Sequence, residues 1–68
     1  MVLRQVAGTC DDIETCPKVF DAGEDVVVQG YDLDGETRRQ LHLPAGEAAV
    51  RLPRQLILEA ARRLAGGA

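Results

Sequence analysis

The sequence predicts a small α+β domain, a sheet of two to four short strands with a C-terminal amphipathic helix packed on it. Three observations carry this. The chain has 68 residues, enough for one domain spanning 1–68. Residues 25–32, DVVVQGYD, hold three consecutive Val and a Tyr, which favour the pleated state. Residues 53–65 carry apolar side chains at helical spacing.

Taken in order, residues 1–7 form a short strand or a loose arm. Thr9 and Asp12 have the spacing of a capping box, so 10–15 fits one helical turn. Pro17 ends any helix before it, because the residue preceding a proline avoids the α region. Lys18–Asp21 is a short apolar-centred segment, and Ala22-Gly23-Glu24 reads as a turn. The Val26-Val27-Val28 run implies burial on both faces and hence a central strand. Gly30 marks a bulge or a close approach of backbone more readily than a ligand contact.

Residues 33–43, LDGETRRQLHL, admit two structures. Asp34-Gly35 is a hairpin signal that would pair Val28 with Leu41 and Val26 with Leu43. Alternatively Asp34 caps a short helix with Leu33, Thr37 and Leu41 on one side. The short helix is favoured, because helix formers dominate and only Thr37 is β-branched. Pro44-Ala45-Gly46-Glu47 is a turn, and Ala48–Leu52 is a second strand with Val50 and Leu52 on one face.

Pro53 fits the first helical position, where its missing N–H costs nothing. Leu56, Ile57, Ala60, Ala61 and Leu64 form the apolar stripe, with Arg54, Gln55, Glu59, Arg62 and Arg63 polar. Glu59 and Arg63 are a favourable i, i+4 pair, and Gly66-Gly67 supplies the stop. Leu58 falls off the stripe and makes a second apolar edge with Ala61 and Ala65.

A domain of this size buries only about 60% of its unfolded surface. Its aromatic supply is Phe20 and Tyr31 alone. So thin a core is an argument for self-association or a partner chain. The charges are also segregated. Residues 1–36 hold nine acids against Arg4 and Lys18, a net −7; residues 37–68 hold six Arg against Glu47 and Glu59, a net +4. These are two solvated faces, or complementary surfaces that steer a partner or a second copy. The acidic half opposes nucleic-acid binding. No apolar run is long enough to span a bilayer, and MVLRQVAGTC lacks the apolar centre of a secretion signal. The expected compartment is the cytoplasm. Arg outnumbers Lys seven to one, which suits a GC-rich genome.

Cys10 and Cys16 alone invite a chemical hypothesis. Their C-x5-C spacing is neither a zinc knuckle nor a thioredoxin-like pair. Free structural thiols lead, ahead of a disulfide and ahead of a metal site, such as zinc, shared between two subunits. Asp11, Asp12 and Glu14 would raise the thiol pKa values, against nucleophilic catalysis. His42 has no placed nucleophile to serve and reads as a surface residue. The chain has no Ser, so no serine triad, and Gly30, Gly35 and Gly46 form no phosphate loop. No catalytic residue and no cofactor are expected.

Ala49–Ile57, AVRLPRQLI, resembles the strand-into-helix opening of ribbon-helix-helix DNA-binding proteins. That family has a second helix after the first, which this sequence does not offer, and the DNA-binding inference largely falls with it. A broader resemblance rests on Cys16-Pro17-Lys18-Val19-Phe20, Val26-Val27-Val28-Gln29-Gly30-Tyr31, Leu43-Pro44-Ala45-Gly46-Glu47 and Val50-Arg51-Leu52-Pro53. This pattern is similar to that of small uncharacterised actinobacterial proteins encoded near helix-turn-helix regulators. The resemblance implies a regulatory setting and a transcription-regulator partner. Members often end soon after the final strand, so the Arg-rich helix is a departure.

The expectation is therefore a non-enzymatic regulatory interaction module, homodimeric, whose contact residues are Leu56, Ile57, Leu58, Ala61, Leu64, Arg54 and Arg62. The alternative is a thiol-based metal or redox sensor built on Cys10 and Cys16.

Overall fold

The computed structural model describes residues 2–8 and 16–66. The expected turn at 10–15 and Cys10 lie outside the described residues. Five elements run in chain order: β1 (Arg4–Gly8), β2 (Lys18–Ala22), β3 (Asp25–Gln29), α1 (Gly35–Arg39) and α2 (Arg54–Leu64). The α+β class is as expected, with three strands and a C-terminal helix.

The sheet is an antiparallel meander in the order β1-β2-β3. Gly23 and Glu24 alone join β2 to β3, with Ala22 opposite Asp25. Gly23 has φ 90°, the positive value that the primed hairpin turns require at their first central position. The Asp21 carboxylate accepts the Gly23 N–H at 2.9 Å and closes the turn. On the other side of β2, the register slips between Gln5 and Ala7, a bulge centred on Val6.

The expectation of a central Val-rich strand is corrected. The central strand is β2, and β3 is an edge. Val26, Val27 and Val28 stay 47%, 37% and 39% exposed. The second strand expected at Ala48–Leu52 is also corrected. It reduces to a single antiparallel bridge, in which Tyr31 and Arg51 exchange backbone hydrogen bonds of 2.9 and 2.8 Å. The Arg51 guanidinium lies 5.3 Å from the centre of the Tyr31 ring and reinforces this clip. Gly30 makes the close approach possible. A Cβ there would overlap the Arg51 carbonyl oxygen and press on Leu52 and Val50 at 3.0 Å. The close-approach reading of Gly30 holds.

Between these points the short helix wins over the hairpin. Asp34 is the N-cap of α1, and its carboxylate accepts the Thr37 N–H at 2.7 Å. The turn at Pro44–Glu47 closes with Glu47 N–H to Pro44 C=O at 3.1 Å, and Gly46 takes φ 92° at the third position.

Pro53 proves to be the N-cap of α2 rather than its first residue, and offers no side-chain cap. At the far end the Ala65 and Gly66 amides bond back to Ala61 and Arg63, and Gly66 has φ 86°. Among the described elements, the α2 helix packs on β1 and β2 only. Leu56 and Ala60, four residues apart on one line, meet Val6, Ala7 and Val19, with Leu52 beside them. These five side chains are the buried apolar core among the described residues. No described element packs on α1.

Candidate functional site

Apart from Val2 and Leu3 before β1, the exposed large apolar side chains among the described residues fall into three regions. The first is the outer side of α2. Leu58 lies roughly 180° around the helix from the mid-line of Leu56 and Ala60, and is 56% exposed. Arg54, Ala61 and Arg62 flank it and are exposed. Gln55, Leu58, Glu59 and Arg62, spaced along one side, line a shallow open depression. Glu59 and Arg63 approach within 3.7 Å, the pair expected from their spacing. Ile57 and Leu64 are 49% and 38% exposed and form the shoulder between this ridge and the sheet.

Of the seven expected contact residues, six are therefore at the surface and one is not. Leu56 is 4% exposed and belongs to the core. The five-residue stripe is wider than the surface it packs against, because α2 covers two strands rather than three.

The second region is β3. Cross-strand partners share a face of the sheet. Val28 is opposite Val19, whose face α2 covers, so Val28 and Val26 emerge beside the core and are left bare. Val27 is opposite Phe20 on the reverse face. The third region is the segment between β3 and α2, where Tyr31, Leu41, Leu43 and Val50 are all exposed. His42 is exposed in the same segment, as expected of a surface residue.

Cys16 is disulfide-bonded. The sequence has one other cysteine, Cys10, which lies outside the described residues. Of the three states open to the cysteines, the leading expectation of free thiols gives way to a disulfide. In this oxidised form Cys16 presents no thiolate to a metal. Among the described residues, no three of His, Cys, Asp and Glu gather as a metal-binding group would.

The Cys16 main chain is tied into the sheet. Its carbonyl accepts the Lys18 Nζ at 3.1 Å and the Gln29 Nε2 at 3.2 Å. Lys18 is fully buried, an arrangement that sequence reasoning missed. A lysine is ordinarily read as exposed; an acceptor such as this carbonyl is what makes its burial tolerable.

Two aspartates are held below the usual carboxylate range. Asp21 is lowered first by the Gly23 N–H and then by Arg4, whose guanidinium donates to it at 2.9 Å. Asp34 is lowered by Thr37, through its hydroxyl and its N–H. Both are turn or cap carboxylates, and their shifts report local structure rather than catalysis. No helix among the described residues is long and apolar enough to cross a membrane.

No family model matches the chain, and no match to it was found among the curated proteins or the solved structures.

Proposed function

We propose that this chain is a small non-enzymatic protein–protein interaction module with a regulatory role, self-associating and suited to a transcription-regulator partner in the cytoplasm. One observation carries the reading. Among the described residues, five apolar side chains form the buried core, while twelve large apolar side chains are at least 37% exposed. Scattered exposed apolar residues are ordinary, but here they outnumber the core and include the three central residues of β3. The radius of gyration, 13.0 Å, exceeds the roughly 11 Å of a compact 68-residue domain. The segregation of charge, −7 against +4, adds a means of orienting a partner. The absence of Ser from the sequence and the exposed, isolated His42 favour a binding role over hydrolytic chemistry. Sedimentation over a concentration range tests self-association: a concentration-dependent rise to dimer mass is expected. A well-folded chain that stays monomeric throughout removes that part of the reading.

The Cys16 disulfide favours a second reading, a thiol-based redox module. In a reducing compartment a persistent disulfide is uncommon, and one that forms there tends to be a sensor or a catalyst. Reduction would be felt directly by the Cys16 carbonyl and so by Lys18 and Gln29. Amide hydrogen exchange of β2 and β3, compared with and without a dithiol reductant, checks this. Faster exchange on reduction is expected, and identical protection would dismiss the redox reading.

A further inference from the structure

We propose that β3 is the self-association surface: two copies of this chain join their β3 edges antiparallel about a two-fold axis and make one six-stranded sheet. The inference rests on the self-association reading above and names the surface that performs it.

The two edges of the sheet are treated differently. β1 carries a bulge at Val6 and the charged Arg4, both devices that discourage a further strand. β3 has neither bulge nor proline, and its register with β2 is regular over all five residues. Its three central residues are Val, and its only charge is Asp25 at one end. An exposed, regular, apolar edge is a template for another strand.

The direction of the free backbone groups follows from the hairpin. With a two-residue loop, the flanking pair Ala22 and Asp25 is hydrogen-bonded. Hydrogen-bonded and non-hydrogen-bonded pairs then alternate. Asp25, Val27 and Gln29 bond to β2, and the N–H and C=O groups of Val26 and Val28 point away from the sheet.

The second copy is the occupant because the strand complements itself. With Val27 on the two-fold axis, Val26 meets Val28 of the other copy, and the outward groups of both residues are satisfied. Asp25 then faces Gln29, so no carboxylate opposes a carboxylate. All five residues are used. Shifting by two residues in either direction leaves part of the strand unpaired. The two-fold stands perpendicular to the sheet, so both copies present their α2 side on one face, where Val26 and Val28 of each form a shared apolar floor.

The test uses the full chain. Val26→Pro removes an outward N–H at a position where an edge strand tolerates proline, and a fold-sensitive circular-dichroism spectrum accompanies it. Val27→Cys places two thiols across a non-hydrogen-bonded pair, where Cβ atoms are closest. Val26→Cys, whose neighbour is Val28, is its control. Mild oxidation followed by tryptic mass analysis reads the cross-link as a dimer of fragment 19–38, distinct from the fragment holding Cys10 and Cys16. The expected result is a dimeric parent, a folded and monomeric Val26→Pro, and a cross-link in the Val27→Cys chain but not in the Val26→Cys chain. A dimer that survives Val26→Pro, or equal cross-linking at both positions, overturns the β3 interface and leaves self-association standing. If Val26→Pro fails to fold, the cysteine contrast decides. A parent that is folded and monomeric overturns the second copy as occupant and the self-association reading together, leaving the edge to an extended strand of another protein.

Discussion

β1 and β3 flank the same central strand, yet one half of the molecule is finished and the other is not. On the β1 side, Val6 and Ala7 pack under Leu56 and Ala60, and the edge is bent by a bulge. On the β3 side, three valines face solvent and the chain departs through Gly30 into a segment that buries little. The contrast shows where this chain places its small apolar supply. One helix and two strands make a core sufficient to order the fold. Most of the remaining apolar groups, on β3, on the outer ridge of α2 and around α1, are placed where a second surface can reach them; Val2 and Leu3, before β1, are the exceptions.

The two halves differ most at Val19 and Val28, which share a face and a register position. Leu56→Ala, on the face of α2 that covers Val19, should cost about 2–5 kcal/mol, because a buried leucine is lost and a cavity remains. Val19→Ala should fall at the lower end of that range. Val28→Ala should cost less than about 1 kcal/mol in dilute protein, since its side chain is 39% exposed. Urea unfolding measures all three. Equal losses at 19 and 28 would mean that β3 is as well covered as β2, and the division into two halves would fail.

A second substitution probes the seam between the halves. Gly30→Ala forces a Cβ against the Arg51 carbonyl and the side chains of Val50 and Leu52. Overpacking of this kind costs about 1–3 kcal/mol. The relief available is to release the 50–52 segment, so the Tyr31 and Arg51 amides should lose hydrogen-exchange protection before the amides of β2 do. If protection of both amides is unchanged, the clip does not depend on Gly30.

These positions also show what the sequence could and could not disclose. The Leu56–Ala60 line was legible, because 3.6-residue periodicity reports which side of a helix is apolar. The Asp34 cap and the close approach at Gly30 were legible because each is a local demand on backbone geometry. The place of β3 in the sheet was not. Three β-branched residues read alike at a centre and at an edge, and the answer depends on whether the returning chain at 48–52 pairs fully or touches once. Burial of Lys18 and the state of Cys16 were hidden for the same reason. Both depend on what the fold brings beside them, and C-x5-C spacing is compatible with several outcomes. Six of the seven expected contact residues reach the surface, and Leu56 does not, because amphipathicity alone cannot say how wide the covered strip will be.

Two carboxylates, one in each half, should separate the halves by acid sensitivity. Asp21 closes the β2–β3 turn and meets Arg4; Asp34 caps α1, which packs on nothing among the described elements. Both have folded-state pKa values below the ordinary 3.8 of aspartate. A depressed folded pKa means that the unfolded chain takes up the proton first. The stabilisation is therefore complete above 3.8 and is lost as pH falls from there through the folded value. Losing the Asp21 contacts should loosen the hairpin and lower the global unfolding midpoint. Protonating Asp34 should fray α1 alone, because no described element packs on that helix. Asp21→Asn should flatten the acid limb of the midpoint-against-pH curve, whereas Asp34→Asn should leave it nearly unchanged and lower only the helical signal at neutral pH. A midpoint equally sensitive to both variants would mean that α1 is coupled to the core, and that the outlying segment is part of the packed half.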